Sequence, residues 1–185
     1  MKKRLTIIQM DVHVNDVEYN YTRVQELLSQ SLSENPDIIV LPETWNTGFY
    51  PSKELINIAD RNGDRTQSLL STFAKEHNVN IVGGSVAVAK NDVVFNTSYA
   101  YNREGTLVGE YSKMHGFSPA KEDQYFAGGT HTTHFELDGI PCSTVICYDI
   151  RFPELVRMAA LPNTELLFVP VSYTHLRAHE TRSNL

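Results

Sequence analysis

Apolar runs of strand length alternate with segments of helical periodicity, and this alternation constrains the fold more than any other feature of the sequence. Residues 4–12 and 37–43 have strand composition, and the second run, DIIVLPE, is typical of a buried strand. Between them, residues 15–36 carry apolar side chains at helical spacing, with Asn15 as a candidate cap and Glu18 as its reciprocal partner. The N-terminal part therefore predicts two strands joined by a helix.

In the rest of the chain, predicted helices and strands alternate at first, and antiparallel hairpins follow. Helical periodicity returns before a strand that contains a glycine pair, and two hairpins follow with turns at NREG and LDG. This order indicates an α/β protein whose mixed sheet is covered by helices. The predicted elements are a helix at 65–78, a strand at 79–89, hairpins at 93–111 and 133–149, a helix at 152–161 and a strand at 164–170.

Length and charge narrow the class of protein. The 185 residues suffice for one domain, or for a larger domain cut short. A net charge of −6 argues against nucleic acid or an anionic membrane as the main partner. No apolar run approaches the roughly 20 residues that span a bilayer. The basic N-terminus has only a short, interrupted apolar stretch, so we interpret it as a first strand and not as a signal peptide.

The sequence contains two cysteines, Cys142 and Cys147, five positions apart. On one extended strand their side chains would point to opposite faces, where they could not easily form a disulfide. We therefore expect free thiols and a cytoplasmic protein, since thiols stay reduced in that compartment.

Three residues that carry chemistry stand where predicted strands end. Cys147 follows the apolar run STVI, Glu43 ends IIVLPE, and Lys113 follows the strand TLVGEY. Each residue also has an alternative interpretation without a catalytic role. Cys147 could be a small core side chain, and Glu43 and Lys113 could be solvated loop residues. Ligands of open α/β folds bind where strands end, however, and such strand ends can converge on one cleft.

The three side chains are chemically consistent as a set. A thiol needs a base to accept its proton, and Glu43 supplies a carboxylate. A nearby cation favours the thiolate and stabilises an oxyanion, and Lys113 supplies an ammonium group. At a strand-to-helix turn, Cys147 would also stand near backbone N–H groups that can hold the oxyanion. The set predicts nucleophilic catalysis that requires no histidine.

The segments LPETWNTGF, YSKMHGF and VICYDIRFPE resemble the three signature blocks of the nitrilase superfamily of carbon–nitrogen hydrolases, in order and in spacing. The resemblance extends from about Leu5 to Pro170. It implies a four-layer α-β-β-α sandwich. It also implies that Glu43 is the general base, Lys113 the oxyanion-stabilising cation and Cys147 the nucleophile.

The resemblance implies further site residues as well. AKEDQYFAGG has Glu122 where the family often has a second glutamate, which helps to orient the lysine and the substrate. The backbone N–H of Tyr148 would complete the oxyanion hole. Phe117, Tyr148 and Trp45 are candidates to line the substrate pocket, with plain packing as the alternative. Arg151 is a candidate partner for a substrate carboxylate, with a structural ion pair to a neighbouring glutamate as the alternative.

The stretch CYDIRFPE resembles the omega-amidase branch of the superfamily more than the true nitrilases. That implies hydrolysis of a small linear omega-amide, such as 2-oxoglutaramate, to carboxylate and ammonia through a cysteine thioester. Other amides, carbamoyl compounds and nitriles are alternative substrates. By the same resemblance the partner is a small molecule and not nucleic acid or membrane, no metal or organic cofactor takes part, and full-length members form homodimers.

Three other interpretations stay open. Cys147 with His115 or His134 would make a cysteine protease or transferase, although no pattern places either histidine beside the thiol. His131 and His134 in THTTHFE form a weak candidate metal site, because on a strand their spacing would put them on opposite faces. The third interpretation is a non-catalytic binding protein on the same fold.

The sequence departs from the family pattern after LLFVP. Where the family continues with an alanine, a Trp-Pro pair and a helix, this chain has VSYTHLRAHETRSNL, with little apolar periodicity. We therefore expect a hydrolase domain at 1–170 and a tail at 171–185 that is foreign to it. The sandwich would then be incomplete at its C-terminus, with unpaired sheet edges, and an inactive fragment is the alternative to an active enzyme.

Overall fold

The computed structural model of the chain describes residues 2–161 and 163–172. Its helices are α1 (Val17–Ser31), α2 (Leu55–Ile58), α3 (Asp64–His77) and α4 (Pro153–Ala160). Its strands are β1 (Leu5–Ile7), β2 (Ile38–Val40), β3 (Asp60–Arg61), β4 (Asn80–Val82), β5 (Val86–Lys90), β6 (Val93–Tyr101), β7 (Leu107–Ser112), β8 (His134–Leu137), β9 (Ile140–Thr144) and β10 (Leu166–Phe168). None of the helices in these ranges is long and apolar enough to cross a membrane.

The strands form two sheets. Within the described residues the larger sheet has the order β1-β2-β4-β6-β5-β3, and β7 pairs with β6. Strands β1, β2 and β4 are parallel, whereas β6 runs antiparallel to β4, β5 and β7. The smaller sheet has the order β10-β9-β8, with β10 parallel to β9. The predicted mixed-sheet topology is confirmed.

The two sheets pack face to face through one apolar cluster. In β2 the side chains of Ile38 and Val40 point into this cluster, and that of Ile39 points to the opposite face, as strand geometry requires. The cluster joins buried residues of both sheets: Ile38, Val40, Val82 and Ala100 from the larger one, and Phe135, Leu137, Cys142 and Phe168 from the smaller one.

Helices cover the outer face of each sheet. Leu28 of α1 and Leu70 of α3 are fully buried in a cluster with Ile39 of the larger sheet. Leu155 and Ala159 of α4 pack in a cluster with Val145 just beyond β9. The layers therefore follow the order α-β-β-α, which confirms the predicted four-layer sandwich.

The start of α1 differs from the prediction. Asn15 lies outside the helix in a left-handed conformation with φ 64°, and Asp16 is the cap, its side chain accepting the Tyr19 N–H. With Asp16 as the cap, Glu18 falls one position before the N3 position that a capping box needs, and its carboxylate pairs with the guanidinium of Arg65. Asp and Asn are nearly equivalent as helix caps, so the sequence alone did not separate the two neighbours.

The predicted hairpin turns are confirmed. NREG lies between β6 and β7, and LDG closes the turn between β8 and β9. The expected domain end at Pro170 stays a prediction. Val171 still continues from β10, with its carbonyl accepting the Glu43 N–H at 3.2 Å, and most of the predicted tail, residues 173–185, lies outside the described residues.

Candidate active site

Glu43 lies just beyond β2, in a loop held against the junction of β4 and β5. The Ser85 N–H donates to the Pro42 carbonyl at 3.0 Å, and the Thr44 N–H donates to the Ser85 hydroxyl at 3.0 Å. Gly84 makes this approach possible, since it has φ +62° and a Cβ there would lie 1.9 Å from the Pro42 oxygen. These contacts hold the Glu43 loop against the β4–β5 junction.

Lys113 follows β7 directly. Its backbone N–H donates to the Asn96 carbonyl of β6 at 2.8 Å, and its own carbonyl accepts the Gly129 N–H at 2.9 Å. The lysine is thus held by the ladder of the larger sheet on one side and by the segment that leads to β8 on the other.

The structure brings Glu43, Lys113 and Glu122 together in the protein interior. The Lys113 Nζ lies 2.8 Å from Oε1 of Glu43 and 2.8 Å from Oε2 of Glu122. The three side chains are 1%, 3% and 0% exposed, respectively. One buried ammonium therefore faces two buried carboxylates.

Asn96 completes this charged cluster and was not predicted. Its Nδ2 donates to Oε1 of Glu43 at 3.0 Å and to Oε1 of Glu122 at 3.1 Å. The available signal was an asparagine in the middle of VVFNTSYAY, since a buried polar side chain in a strand needs a partner. The amide carries no charge, but its two hydrogen bonds stabilise the two carboxylates that share the single lysine.

Burial and the attraction between opposite charges shift the pKa values of Glu43 and Lys113. Burial raises the pKa of Glu43 above its ordinary value, and the Lys113 charge opposes this only in part. For Lys113, burial acts to lower the pKa, but the attraction of Glu43 and Glu122 outweighs it and the pKa is raised. Lys113 therefore stays charged, and Glu43 is a stronger base than an exposed glutamate.

Cys147 lies at the first position of a short 3-10 turn, Cys147–Arg151, three residues after β9 ends. Its φ of 47° is left-handed, an uncommon and costly conformation for a residue with a Cβ. Its N–H donates to the Pro170 carbonyl at 2.9 Å. The thiol side chain interacts with Glu43 and lowers the pKa of that carboxyl somewhat, which puts the thiol beside the charged cluster.

Asp149 is a second residue that the sequence analysis missed. Its side chain is fully buried, and its two oxygens contact Tyr111, His115 and the backbone at Ile146. The sequence carries only a weak signal for it, because an aspartate two positions after Cys147 is equally typical of an exposed turn.

Glu122 and Phe117 belong to one compact loop. The Phe117 N–H donates to Oε2 of Glu122 at 2.7 Å, so that oxygen binds both this loop and Lys113. The Phe117 ring meets the Tyr148 ring edge to face, with centroids 5.1 Å apart. The two aromatic candidates therefore adjoin each other and the nucleophile turn.

Trp45 and Arg151 are not brought into the charged cluster. The Trp45 side chain is fully buried in the core, where its Nε1 donates to the Gly83 carbonyl and its ring packs against Tyr21. These surroundings fit plain packing, the alternative given above for Trp45. Trp45 lies two positions beyond Glu43, in a loop that leads back into the core. The Arg151 side chain is exposed, and among the described contacts it makes no ion pair with Glu154.

The alternative interpretations named His115, His131 and His134, and the first of these lies beside Asp149 while the other two lie at the surface. The His115 ring contacts Asp149 at 3.0 Å and stacks on Phe152. His131 and His134 are exposed, and His134 begins β8. Among residues 2–161 and 163–172, no group of three His, Cys, Asp or Glu side chains is arranged to hold a metal ion.

Comparison with known proteins identifies similar chains. The family model for carbon-nitrogen hydrolases matches residues 4–184. The 2-oxoglutaramate amidase of Bacillus subtilis (strain 168) is 38% identical over 185 residues, which cover 100% of this chain and 71% of the relative. The omega-amidase NIT2 of Danio rerio is 30% identical over 184 residues, which cover 93% of this chain and 64% of the relative.

Solved structures share the fold. The NitN amidase of Nesterenkonia sp. AN1 superposes with a TM-score of 0.82 at 22% identity, over 92% of this chain and 67% of the amidase. Another structure of an amidase from that organism, a glutamate-to-glutamine variant, contains acrylamide added to the active-site cysteine. At this identity the likeness concerns the architecture.

Proposed function

Since this chain belongs to the carbon–nitrogen hydrolase family, we propose that it hydrolyses a small linear omega-amide such as 2-oxoglutaramate to a carboxylate and ammonia. The relative from Bacillus subtilis, named 2-oxoglutaramate amidase, supports this substrate class. The observation that carries the proposal is the buried cluster of Glu43, Lys113 and Glu122 beside the Cys147 thiol.

The first half of the reaction forms a thioester. The Cys147 thiol gives its proton to Glu43, and its sulfur attacks the amide carbon. The Lys113 ammonium and the backbone N–H of Tyr148 stabilise the oxyanion that develops on the amide oxygen. When the tetrahedral intermediate collapses, the carbon–nitrogen bond breaks, and the protonated Glu43 gives its proton to the leaving ammonia.

The second half releases the acid. Glu43, now ionised, takes a proton from water, and the resulting hydroxide attacks the thioester carbon. The carbon–sulfur bond then breaks, the thiolate recovers the proton from Glu43, and the product leaves as the carboxylic acid, which loses its proton to solvent to become the carboxylate. Lys113 and the Tyr148 N–H stabilise the second oxyanion as they do the first.

The raised pKa of Glu43 supports its role as the base in both halves. A general base works best when its pKa lies near the working pH and near the pKa of the proton donor. A thiol ordinarily has a pKa of about 8.5. An exposed glutamate would accept that proton far less readily. Burial of Glu43 brings the two pKa values closer together.

Glu122 acts through Lys113 in this proposal. Its carboxylate holds the ammonium and accepts the Phe117 N–H, which fixes the loop that bears the Phe117 ring. Phe117 and Tyr148 would form an aromatic wall for the carbon chain of the substrate. Arg151 remains a candidate for the substrate carboxylate, since its side chain is exposed on the nucleophile turn.

Cys142 and Cys147 do not form a disulfide with each other, and this supports the proposed location in the cytoplasm. A nucleophilic thiol must stay reduced to react. The catalytic set thus fits a reducing compartment.

The test is ammonia release from 2-oxoglutaramate by the purified chain, with Cys147→Ala as the matched control. We expect release by the wild type and none by the variant. Butyramide, which has a similar length but no keto acid, tests the substrate class. Equal turnover of both amides would contradict recognition of the keto acid, and no turnover of either would contradict the amidase proposal for this chain.

A further inference from the structure

We propose that Asp149 is a positioning residue that holds the nucleophile turn and the lysine loop in a fixed relative place. This inference rests on the proposed function, because it concerns the residues to which that function assigns roles. Asp149 is fully buried and lies two positions after Cys147. The proposed function assigns no role to Asp149 itself.

One oxygen of Asp149 holds the residue before the nucleophile. Oδ2 accepts the Ile146 N–H at 3.0 Å and the Tyr111 hydroxyl at 2.7 Å. Cys147 has the left-handed φ of 47°, which the surroundings must maintain because it is costly. The contacts that restrain its backbone include the Asp149 side-chain contact at Ile146 and the hydrogen bond from its own N–H to the Pro170 carbonyl, and the Asp149 N–H also donates to the Ile146 carbonyl at 3.0 Å.

The other oxygen of Asp149 holds the loop that follows Lys113. Oδ1 accepts the His115 N–H at 2.9 Å and contacts the His115 Nδ1 at 3.0 Å. His115 lies only two residues beyond Lys113. One buried carboxylate therefore joins the segments that carry the thiol and the ammonium.

An asparagine in place of Asp149 cannot reproduce these contacts. Whichever side its NH₂ group takes, it meets a backbone N–H, of Ile146 on one side and of His115 on the other. Two donors cannot form a hydrogen bond with each other. The substitution Asp149→Asn keeps the size of the side chain and releases one of the two segments.

The test compares Asp149→Asn with Tyr111→Phe. The second variant removes a hydrogen bond from the same Oδ2 but leaves both backbone N–H contacts in place, so it is a matched control for the loss of a buried contact. Two rates are measured on folded chains, as judged by circular dichroism. One is kcat for 2-oxoglutaramate, and the other is alkylation of Cys147 by iodoacetamide, followed by intact mass.

We expect Asp149→Asn to lower kcat and the alkylation rate at least tenfold, with KM changed less than threefold. Tyr111→Phe should change both rates less than threefold. The proposal is overturned if Asp149→Asn alkylates within tenfold of the wild type, or if Tyr111→Phe loses as much. Alkylation needs no turnover, so a wild type that is alkylated but releases no ammonia contradicts the proposed function and still permits the test of Asp149.

If Asp149→Asn does not fold, His115→Asn decides the question. This variant removes the ring contact and keeps the backbone N–H at position 115. We expect alkylation of Cys147 within threefold of the wild type, because the backbone contacts do the positioning. A tenfold loss would show that the ring does it and would overturn the proposal.

Discussion

The Nζ atom of Lys113 lies 2.8 Å from Oε1 of Glu43, although the two residues are 70 positions apart in the chain. Both side chains are almost fully buried, so each charge depends on the other for its solvation. The Glu43–Lys113 pair therefore affects both the stability of the fold and the proposed catalysis. Unfolding and activity measurements can separate these two effects.

Lys113→Met should abolish turnover and also destabilise the fold. The substitution leaves two carboxylates buried without their cation, and breaking a buried pair in this way costs about 3–5 kcal/mol. Urea unfolding at pH 7 measures the loss. Lys90→Met is the matched control, since Lys90 pairs with Glu110 at 2.7 Å where both side chains are more than a third exposed. It should cost less than about 1 kcal/mol, and equal losses would contradict the argument.

Asn96→Ala should move the acidic limb of the kcat/KM profile to higher pH. The Asn96 amide donates to the Glu43 carboxylate and so favours its ionised form, and its removal raises a pKa that burial has already raised. Asn80→Ala is the control, because Asn80 is equally buried in the same sheet but donates to the Asp37 carbonyl. An acidic limb that moves in both variants, or in neither, would exclude a specific role of Asn96.

Glu43→Gln should be inactive yet relatively more stable than the wild type as pH rises. The pKa of Glu43 is raised in the folded state, so its contribution to stability is present below the ordinary value of 4.5 and is lost as pH rises through the folded value. A neutral amide avoids that loss. Melting temperatures of both chains, measured at a series of pH values from pH 4 to pH 8, give the difference.

Glu18 should affect the pH dependence of stability in the opposite direction. Its hydrogen bonds to Arg65 lower its pKa, so its contribution is present above 4.5 and is lost as pH falls. Glu18→Gln should therefore be less stable than the wild type at neutral pH and approach it in acid. The same pH trend in both variants would refute the assignment for Glu43.

Gly84→Ala should disturb the Glu43 loop. The new methyl group would lie 1.9 Å from the Pro42 carbonyl oxygen, so the loop must move, and we expect activity to fall at least tenfold. Gly139→Ala is the control, because Gly139 also has a positive φ, of 78°, but a Cβ there meets nothing within 4 Å. It should cost stability of about 1 kcal/mol and leave activity intact. If both variants lose activity alike, backbone strain and not the close contact is responsible.

The sequence was most informative where a polar residue directly follows an apolar run. Glu43 stands at such a point, and Lys113 stands at the end of a predicted strand. Strand and helix periodicity predicted the mixed sheet covered by helices, whereas the four layers were implied by the resemblance to the nitrilase superfamily. Asn96 and Asp149 lack such a mark. Their partners come from residues far along the chain, so their contacts depend on how β6 and β7 pair and on where the nucleophile turn packs.

Trp45 illustrates the opposite difficulty. It is only two positions from Glu43, yet its side chain belongs to the core, with its indole bonded to the Gly83 carbonyl. In a loop, proximity in sequence does not determine where a side chain points, because the backbone has no regular repeat such as that of a helix or a strand. Neighbouring Thr44, with φ 45°, has a left-handed backbone conformation between the two.

The stretch after β10 touches both halves of the proposed chemistry. The Pro170 carbonyl accepts the Cys147 N–H, and the Val171 carbonyl accepts the Glu43 N–H. During synthesis the thiol and the carboxylate therefore emerge well before the residues that hold them. A growing chain on the ribosome can form these two contacts only after position 171 has left the exit tunnel, so we expect the thiol and its base to be fully positioned only late in synthesis.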